Sequence, residues 1–361
     1  MVPFELPKET WEKGRNYFIG MISNGNAPNM IRDFIKEGEA YQKEIGEFLL
    51  QWTDSSKTVT VKTSGSTGKP KSIKLSKQAM VHSAIATGDY FKLEPENSAL
   101  MCLPATFIAG KMMIVRAIIL GLRLDLVAPN SKPLELVKKK YMFSAMVPMQ
   151  LQNSLKHLDK VRTLIVGGAK VSDDLLAKLQ ESSTTVYATY GMTETITHIA
   201  VKKLNKRKAN SSKPVFEVLP NVEISLDDRN CLIINAPYLN TTLIVTNDVV
   251  KLYSKTTFDL LGRIDNVINS GGIKIHPEQL EATLASQINS DFIIASRKNK
   301  TLGEEVILVV EGDKYILKKE IFNTLKKYEV PKSIFFIKHF NRTSSGKINR
   351  VKTLDTLKKI S

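Results

Sequence analysis

Between Thr58 and Thr189, short strand-like runs alternate with helical patterns, and no other feature of the chain constrains its fold as much. Val59-Thr60-Val61 leads into a glycine-rich turn, and Ser76 is placed to cap a helix running to about Tyr90. Ala99-Leu100-Met101-Cys102-Leu103 reads as a strand, and Val161 to Val166 and Thr185 to Thr189 repeat the theme. Strands separated by helices of this length predict parallel α/β topology. From about Val215 to Leu261 the period changes. Val222-Glu223-Ile224, Leu232-Ile233-Ile234 and Leu243-Ile244-Val245 are separated by turn residues, which predicts an antiparallel β-rich subdomain. After Gly262 the pattern predicts a helix from Pro277, strands near Phe292-Ile293-Ile294 and from Val306 to Val310, a helix near Tyr315 to Lys327, and a strand at Ile334-Phe335-Phe336. The expected fold class is α/β. A large N-terminal domain, 1–262, holds the parallel sheet and the β-rich subdomain; a small, mobile α+β domain, 263–361, follows it.

Composition narrows the partners. Lys and Arg number 52 against 36 Asp and Glu, a net charge of +16. Such a balance suits anionic partners. Asp313 to Ser361 carries 13 Lys or Arg against 4 Asp or Glu, and Val201 to Lys213 carries six basic residues and no acid. No aromatic interleaving accompanies them, so nucleic acid is not the expected partner. The two cysteines, Cys102 and Cys231, lie far apart in apolar runs, which excludes a disulfide framework and favours a reducing compartment. Met1-Val2-Pro3-Phe4-Glu5 shows no secretion signal. The longest apolar stretch, Phe107 to Leu120, is too short to span a bilayer and contains Lys111 and Arg116. A cytoplasmic protein without stable membrane association is expected.

The sharpest chemical signal is Thr63-Ser64-Gly65-Ser66-Thr67-Gly68-Lys69-Pro70-Lys71, directly after a strand. Glycines let successive backbone N–H groups converge on an anion, and hydroxyls and lysines add donors. A Walker A loop would need glycine at 63 and Ser or Thr at 70, so this is a different phosphate-binding loop.

Residues 63–71 read T-S-G-[ST]-T-G-x-P-K, and here the chain resembles the adenylate-forming superfamily of acyl-CoA synthetases, adenylation domains and luciferases. Further matches follow in the superfamily's order. Gly167-Gly168-Ala169 resembles its adenine-contacting turn, and Tyr190-Gly191-Met192-Thr193-Glu194 its Y-G-x-T-E segment. Asp248 stands where the T-G-D motif has its aspartate, with Asn247 in place of the glycine. Gly262-Arg263-Ile264-Asp265 resembles the G-R-x-D hinge. Ser270-Gly271-Gly272 with Ile275-His276-Pro277-Glu278-Gln279-Leu280-Glu281 is similar to the run G-G-x-x-I-x-P-x-E-[IL]-E, and Arg342-Thr343-Ser344-Ser345-Gly346-Lys347 to R-T-x-x-G-K. The phosphate loop lies nearer the N-terminus than in typical members.

The resemblance implies an acid–thiol ligase using ATP, Mg²⁺ and coenzyme A. It assigns the β- and γ-phosphates to Thr63, Ser64, Gly65, Ser66, Thr67, Gly68, Lys69 and Lys71. It gives the α-phosphate to Thr193, Mg²⁺ to Glu194, and the ribose to Asp248 and Arg263. Gly167, Gly168, Ala169, Tyr190 and Gly191 complete the nucleotide site, and Lys347 is the lysine of the first half-reaction. Rotation about Asp265 would withdraw Lys347 and bring Gly271 and Gly272 to a pantetheine channel. At the acyl site Phe107 replaces the usual gate histidine, and charges at Lys111 and Arg116 need a partner or a route to water. In o-succinylbenzoate–CoA ligases of menaquinone synthesis, a basic residue at the spacing of Arg116 binds a substrate carboxylate, and residues 103–117 resemble their short bacterial forms. His198 either lines that pocket or is a packed histidine. Two further readings are an adenylation enzyme for another aryl acid, loading CoA or a carrier protein, and a basic nucleic-acid-binding protein with a degenerate nucleotide fold.

Overall fold

The structure, a computed structural model, describes residues 26–62, 72–206, 214–343 and 348–360. The predicted phosphate-loop residues Thr63 to Lys71 and the predicted lysine Lys347 lie outside them. Helices α1 (Asn26–Lys36) and α2 (Ala40–Thr53) precede a two-stranded hairpin, β1 (Thr58–Lys62) and β2 (Ser72–Ser76). Helix α3 (Lys77–Phe91) begins at Ser76, whose side chain accepts from the Ala79 N–H, as the sequence predicts.

The main sheet takes β3 (Ser98–Met101), β4 (Arg123–Leu126), β5 (Tyr141–Met146), β6 (Val161–Val166) and β7 (Thr185–Gly191) in parallel. Its inner strands are buried on both faces, so their side chains alternate between two cores. Ala99, Met101, Phe143 and Ile165 meet α3 and α4 (Ile108–Leu120), while Leu100, Leu164, Val166 and Val186 meet α5 (Pro148–Ser154) and α6 (Asp173–Leu179). Helix α4 is apolar almost all round and nearly wholly enclosed, as expected for a helix covered on every side.

The β-rich region is not a separate sheet. Strand β7 pairs β6 in parallel on one edge and β8 (His198–Lys203) antiparallel on the other. The same sheet then continues through β9 (Phe216–Val218), β13 (Thr257–Arg263), β12 (Ile244–Ser254) and β11 (Cys231–Asn235) to β10 (Glu223–Leu226). It stops at Arg263. Beyond residues 264–267 a second sheet begins with β14 (Ile268–Ser270), β15 (Ile273–Ile275), β16 (Phe292–Asn299), β17 (Gly303–Glu311) and β18 (Ser333–Ile337). Helices α7 (Pro277–Leu284) and α8 (Arg350–Ile360) flank it.

One expected element is absent. Residues 315–327 hold only a single 3₁₀ turn, Lys319–Phe322, with i→i+3 closures from Ile321, Asn323 and Leu325. Leu317, Ile321, Phe322 and Leu325 all pack on the small core, and this burial overrides the weak helical preference of a stretch containing Asn323 and Thr324.

Candidate active site

The site lies at the C-terminal ends of β6 and β7, where ligands of open α/β sheets bind. Gly167, Gly168 and Ala169 follow β6 directly; the Gly167 N–H donates to the Met146 carbonyl at 3.1 Å, and Gly168 has φ +91°. At the end of β7 the Tyr190 hydroxyl donates to Asp248 Oδ2 at 2.6 Å. Its ring is packed against Phe216 and Phe258, and burial beside the Asp248 carboxylate pushes the phenol above its ordinary range. Asp248 and Arg263 are register partners on β12 and β13. Arg263 reaches Asp248 Oδ1 at 3.4 Å and Asp265 Oδ2 at 2.6 Å. The Arg263 guanidinium thereby holds the Asp265 carboxyl below its usual range. Tyr190, Asp248, Arg263 and Asp265, distant in sequence, form one chain of hydrogen bonds.

Thr193 and Glu194 sit on the connection between β7 and β8, in a 3₁₀ turn over Thr193–Thr195. Thr195 closes that turn: its hydroxyl accepts from the Met192 N–H at 2.9 Å and donates to the Thr197 carbonyl at 2.7 Å. Ile196 is buried at φ +65°, costly for a β-branched residue. A Cβ on Gly191 would meet the Thr197 carbonyl oxygen at 2.1 Å, so only glycine permits this close approach. Thr193 is half-buried and Glu194 is exposed.

On the acyl side, Phe107 is half-buried at the N-terminus of α4. Arg116 is fully enclosed. Its Nε donates to Thr87 Oγ1 at 3.3 Å and its Nη2 to Thr197 Oγ1 at 3.3 Å, while Nη1 faces the Met113 sulfur at 3.8 Å. No carboxylate among the described residues lies within ion-pair distance of it. Burial pushes the guanidinium down to about 10. Thr197 also shares a hydrogen bond with Ser83 at 3.0 Å and lies 3.5 Å from His198 Nδ1. Burial, and then the Arg116 charge, hold His198 neutral, at about 3, and its Nε2 has no partner among the described residues. Ser83 and His198 line a cleft of about 270 Å³ with His82, Leu219 and Tyr238.

Lys111 does not join this group. Its ammonium lies over the Phe48 ring, 4.7 Å from the centroid, on the side facing α2, with Glu44 and Glu47 near enough to act on its charge. Thr87, Thr197 and Ser83 carry no sequence signal; only packing makes Thr87 and Thr197 partners of the guanidinium and Ser83 a partner of Thr197. Gly271 and Gly272, with φ +60° and +83°, form the exposed β14–β15 turn, and the Gly271 N–H donates to the Leu302 carbonyl. Gln279 occupies the position of the first glutamate in the run P-x-E-[IL]-E, so the match there is incomplete.

Residues 38–233 match the AMP-binding enzyme family, more than half of the chain. The chain belongs to that family. An acyl-CoA synthetase (AMP-forming)/AMP-acid ligase II-like protein of Dyadobacter fermentans is 34% identical in structure-based comparison, with a TM-score of 0.60 over 88% of this chain and 95% of that one. A 2-succinylbenzoate–CoA ligase of Haemophilus influenzae is 26% identical over 73% of this chain, which spans 61% of that relative's length. The o-succinylbenzoate coenzyme A synthetase of Bacillus subtilis, solved with ATP and magnesium ion, shares the fold at 21% identity, with a TM-score of 0.72 over 82% of this chain and 69% of its own.

Among the described residues no three His, Cys, Asp or Glu side chains are grouped to hold a metal ion. Glu194 alone, exposed and oxygen-bearing, suits Mg²⁺, which takes one or two carboxylates and completes its shell with water and phosphate oxygens. No helix of the described residues is long and apolar enough to cross a membrane.

Proposed function

We propose that this chain is an AMP-forming acid–thiol ligase whose acid is o-succinylbenzoate. The observation that carries the acid assignment is Arg116: an enclosed guanidinium, bonded among the described residues only to hydroxyls and a thioether, beside the turn that bears Thr193 and Glu194. A cation held this way favours a carboxylate entering the adjoining cleft, and an acid with two carboxylates offers one for chemistry and one for Arg116.

In the first half-reaction a carboxylate oxygen attacks the α-phosphorus of ATP and pyrophosphate leaves. Thr193 steadies the α-phosphate, the loop 63–71 holds the departing phosphates, and Lys347 bridges the acid and the α-phosphate. Mg²⁺ held by Glu194 would neutralise phosphate charge. Asp248 accepts from the ribose hydroxyls, with Tyr190 and Arg263 fixing its carboxylate. Catalysis of this kind is mainly positioning and charge stabilisation. In the second half-reaction the unit 263–361 turns about Asp265, the CoA sulfur attacks the acyl carbonyl carbon, its proton goes to solvent, and AMP leaves. The basic C-terminal segment suits the anionic end of CoA.

A panel of carboxylic acids, assayed for AMP release with and without CoA, tests the reading. AMP release that needs both o-succinylbenzoate and CoA is expected. Arg116→Met should lower kcat/KM for o-succinylbenzoate by about tenfold to a hundredfold, while weak turnover of benzoate persists. Equal treatment of both acids by the parent and the variant reduces the assignment to an unspecified aryl acid; acyl transfer only to a carrier protein overturns the CoA step.

A further inference from the structure

The two sheets are joined once, through residues 264–267, and side chains are tied across that joint from both directions. From β12, the Asn247 amide donates to both carboxylate oxygens of Asp265, at 3.2 and 3.3 Å, and its own oxygen accepts from Arg229 Nη1 at 3.1 Å. From α7, Gln279 Nε2 donates to the consecutive carbonyls of Leu260 and Leu261 on β13, at 3.1 and 2.8 Å. The neighbouring Glu278 accepts from Asn266 Nδ2 at 2.6 Å, while its other oxygen is buried without a partner among the described residues.

We infer that Asn247 and Gln279 are paired latches that hold the small unit in this orientation, and are positioning residues for the two half-reactions. The inference rests on the rotation proposed above. Any change of backbone torsion at 264–266 moves α7 relative to β13 and Asp265 relative to β12, so both sets of bonds must open before the unit can turn. The two residues are also places where the chain departs from the T-G-D and P-x-E-[IL]-E patterns. The departures are chemical gains. A glycine at 247 has no side chain to reach Asp265, and a carboxylate at 279 has no proton to give the two carbonyls. Restoring the pattern residues therefore removes the latches and leaves the rest of the joint in place.

Distance measurement between two labels tests this without turnover. Leu243→Cys and Ile316→Cys place labels on exposed positions of the two units, while native Cys102 and Cys231 are buried. The parent should show one narrow distance. Asn247→Gly with Gln279→Glu should add a second distance, its share rising about fivefold to tenfold for each latch removed. Gln279→Ala serves if the glutamate variant unfolds. Identical distributions in parent and double variant overturn the inference, as does a fall in thermal stability with no second distance, which marks the bonds as structural only. If no acid supports AMP release yet the second distance appears, the ligase reading fails and the latches stand.

Discussion

Arg116 is a charge in a place where a charge is expensive, and its neighbours are hydroxyls of α3 and of the β7–β8 connection rather than carboxylates. The same enclosure acts on His198, whose depressed ionisation has a measurable consequence. A histidine in the unfolded chain takes up a proton below about pH 6.5, whereas His198 stays neutral down to about 3. The unfolded state binds more protons in that window, so His198 contributes stability above it and loses it as pH falls. The stability difference between the parent and His198→Asn should therefore narrow from pH 6.5 towards pH 4, by at most about 1.4 kcal/mol per pH unit, in urea titrations. A difference that does not change with pH would place a charged histidine there. Tyr190 is the second residue with a clear test. Removing its hydroxyl leaves Asp248 without its shortest bond, so Tyr190→Phe should cost about 1.5–3 kcal/mol of stability and weaken ATP binding measured by calorimetry. Glu194 should behave in the opposite manner, because it is exposed: Glu194→Gln should reduce Mg²⁺-dependent AMP release sharply while leaving the unfolding midpoint within about 0.5 kcal/mol of the parent.

Among the elements, the β7–β8 hairpin is the one whose geometry is most closely prescribed. Register places Gly191 opposite His198, which obliges the chain between them to fold back at close range. Gly191 permits the contact with Thr197, Thr195 closes the 3₁₀ turn, and Ile196 accepts positive φ because both ends are held. One methyl group should disturb all of this. Gly191→Ala is expected to destabilise the chain by about 1–3 kcal/mol and to lower kcat more than it raises KM, because Thr193 and Glu194 are displaced together. A variant with normal kcat would show that the turn tolerates relaxation. Residues 315–327 illustrate a looser case. Their apolar spacing reads as a helix, but four of those side chains bury against the small core through turns instead.

At the scale of the molecule, the main sheet runs from β4 through the parallel strands into the antiparallel ones without a break, so the Gly167 turn, the Tyr190 strand and Asp248 are all carried by one framework. The unit proposed to turn begins where the main sheet ends, at Arg263. If the unit 263–361 serves two half-reactions, Lys347→Ala should abolish AMP release from the free acid yet leave CoA transfer to a supplied acyl-adenylate within a few-fold of the parent. Equal loss of both would assign the lysine to a structural role.

The sequence alone determined β1, α3, β3, β6 and β7 and the short strands β10 to β12, because strands buried in a sheet write themselves as apolar runs and turn residues mark their ends; the two N-terminal helices, β4, β5 and β8 were not read from it. It also marked the residues proposed to bear the nucleotide chemistry, since those residues occur in short contiguous motifs. Only the tertiary structure decided that the β-rich region extends the main sheet, because strand pairing between distant segments leaves no mark on either segment. It alone decided that Lys111 faces Phe48 while Arg116 faces Thr87 and Thr197, since two cations on one apolar helix read alike until its neighbours are known. And it alone brought Asn247 to Asp265 and Gln279 to Leu260 and Leu261: hydrogen bonds between residues 18 or 19 apart depend on where strands and helices end, which packing of the whole chain settles.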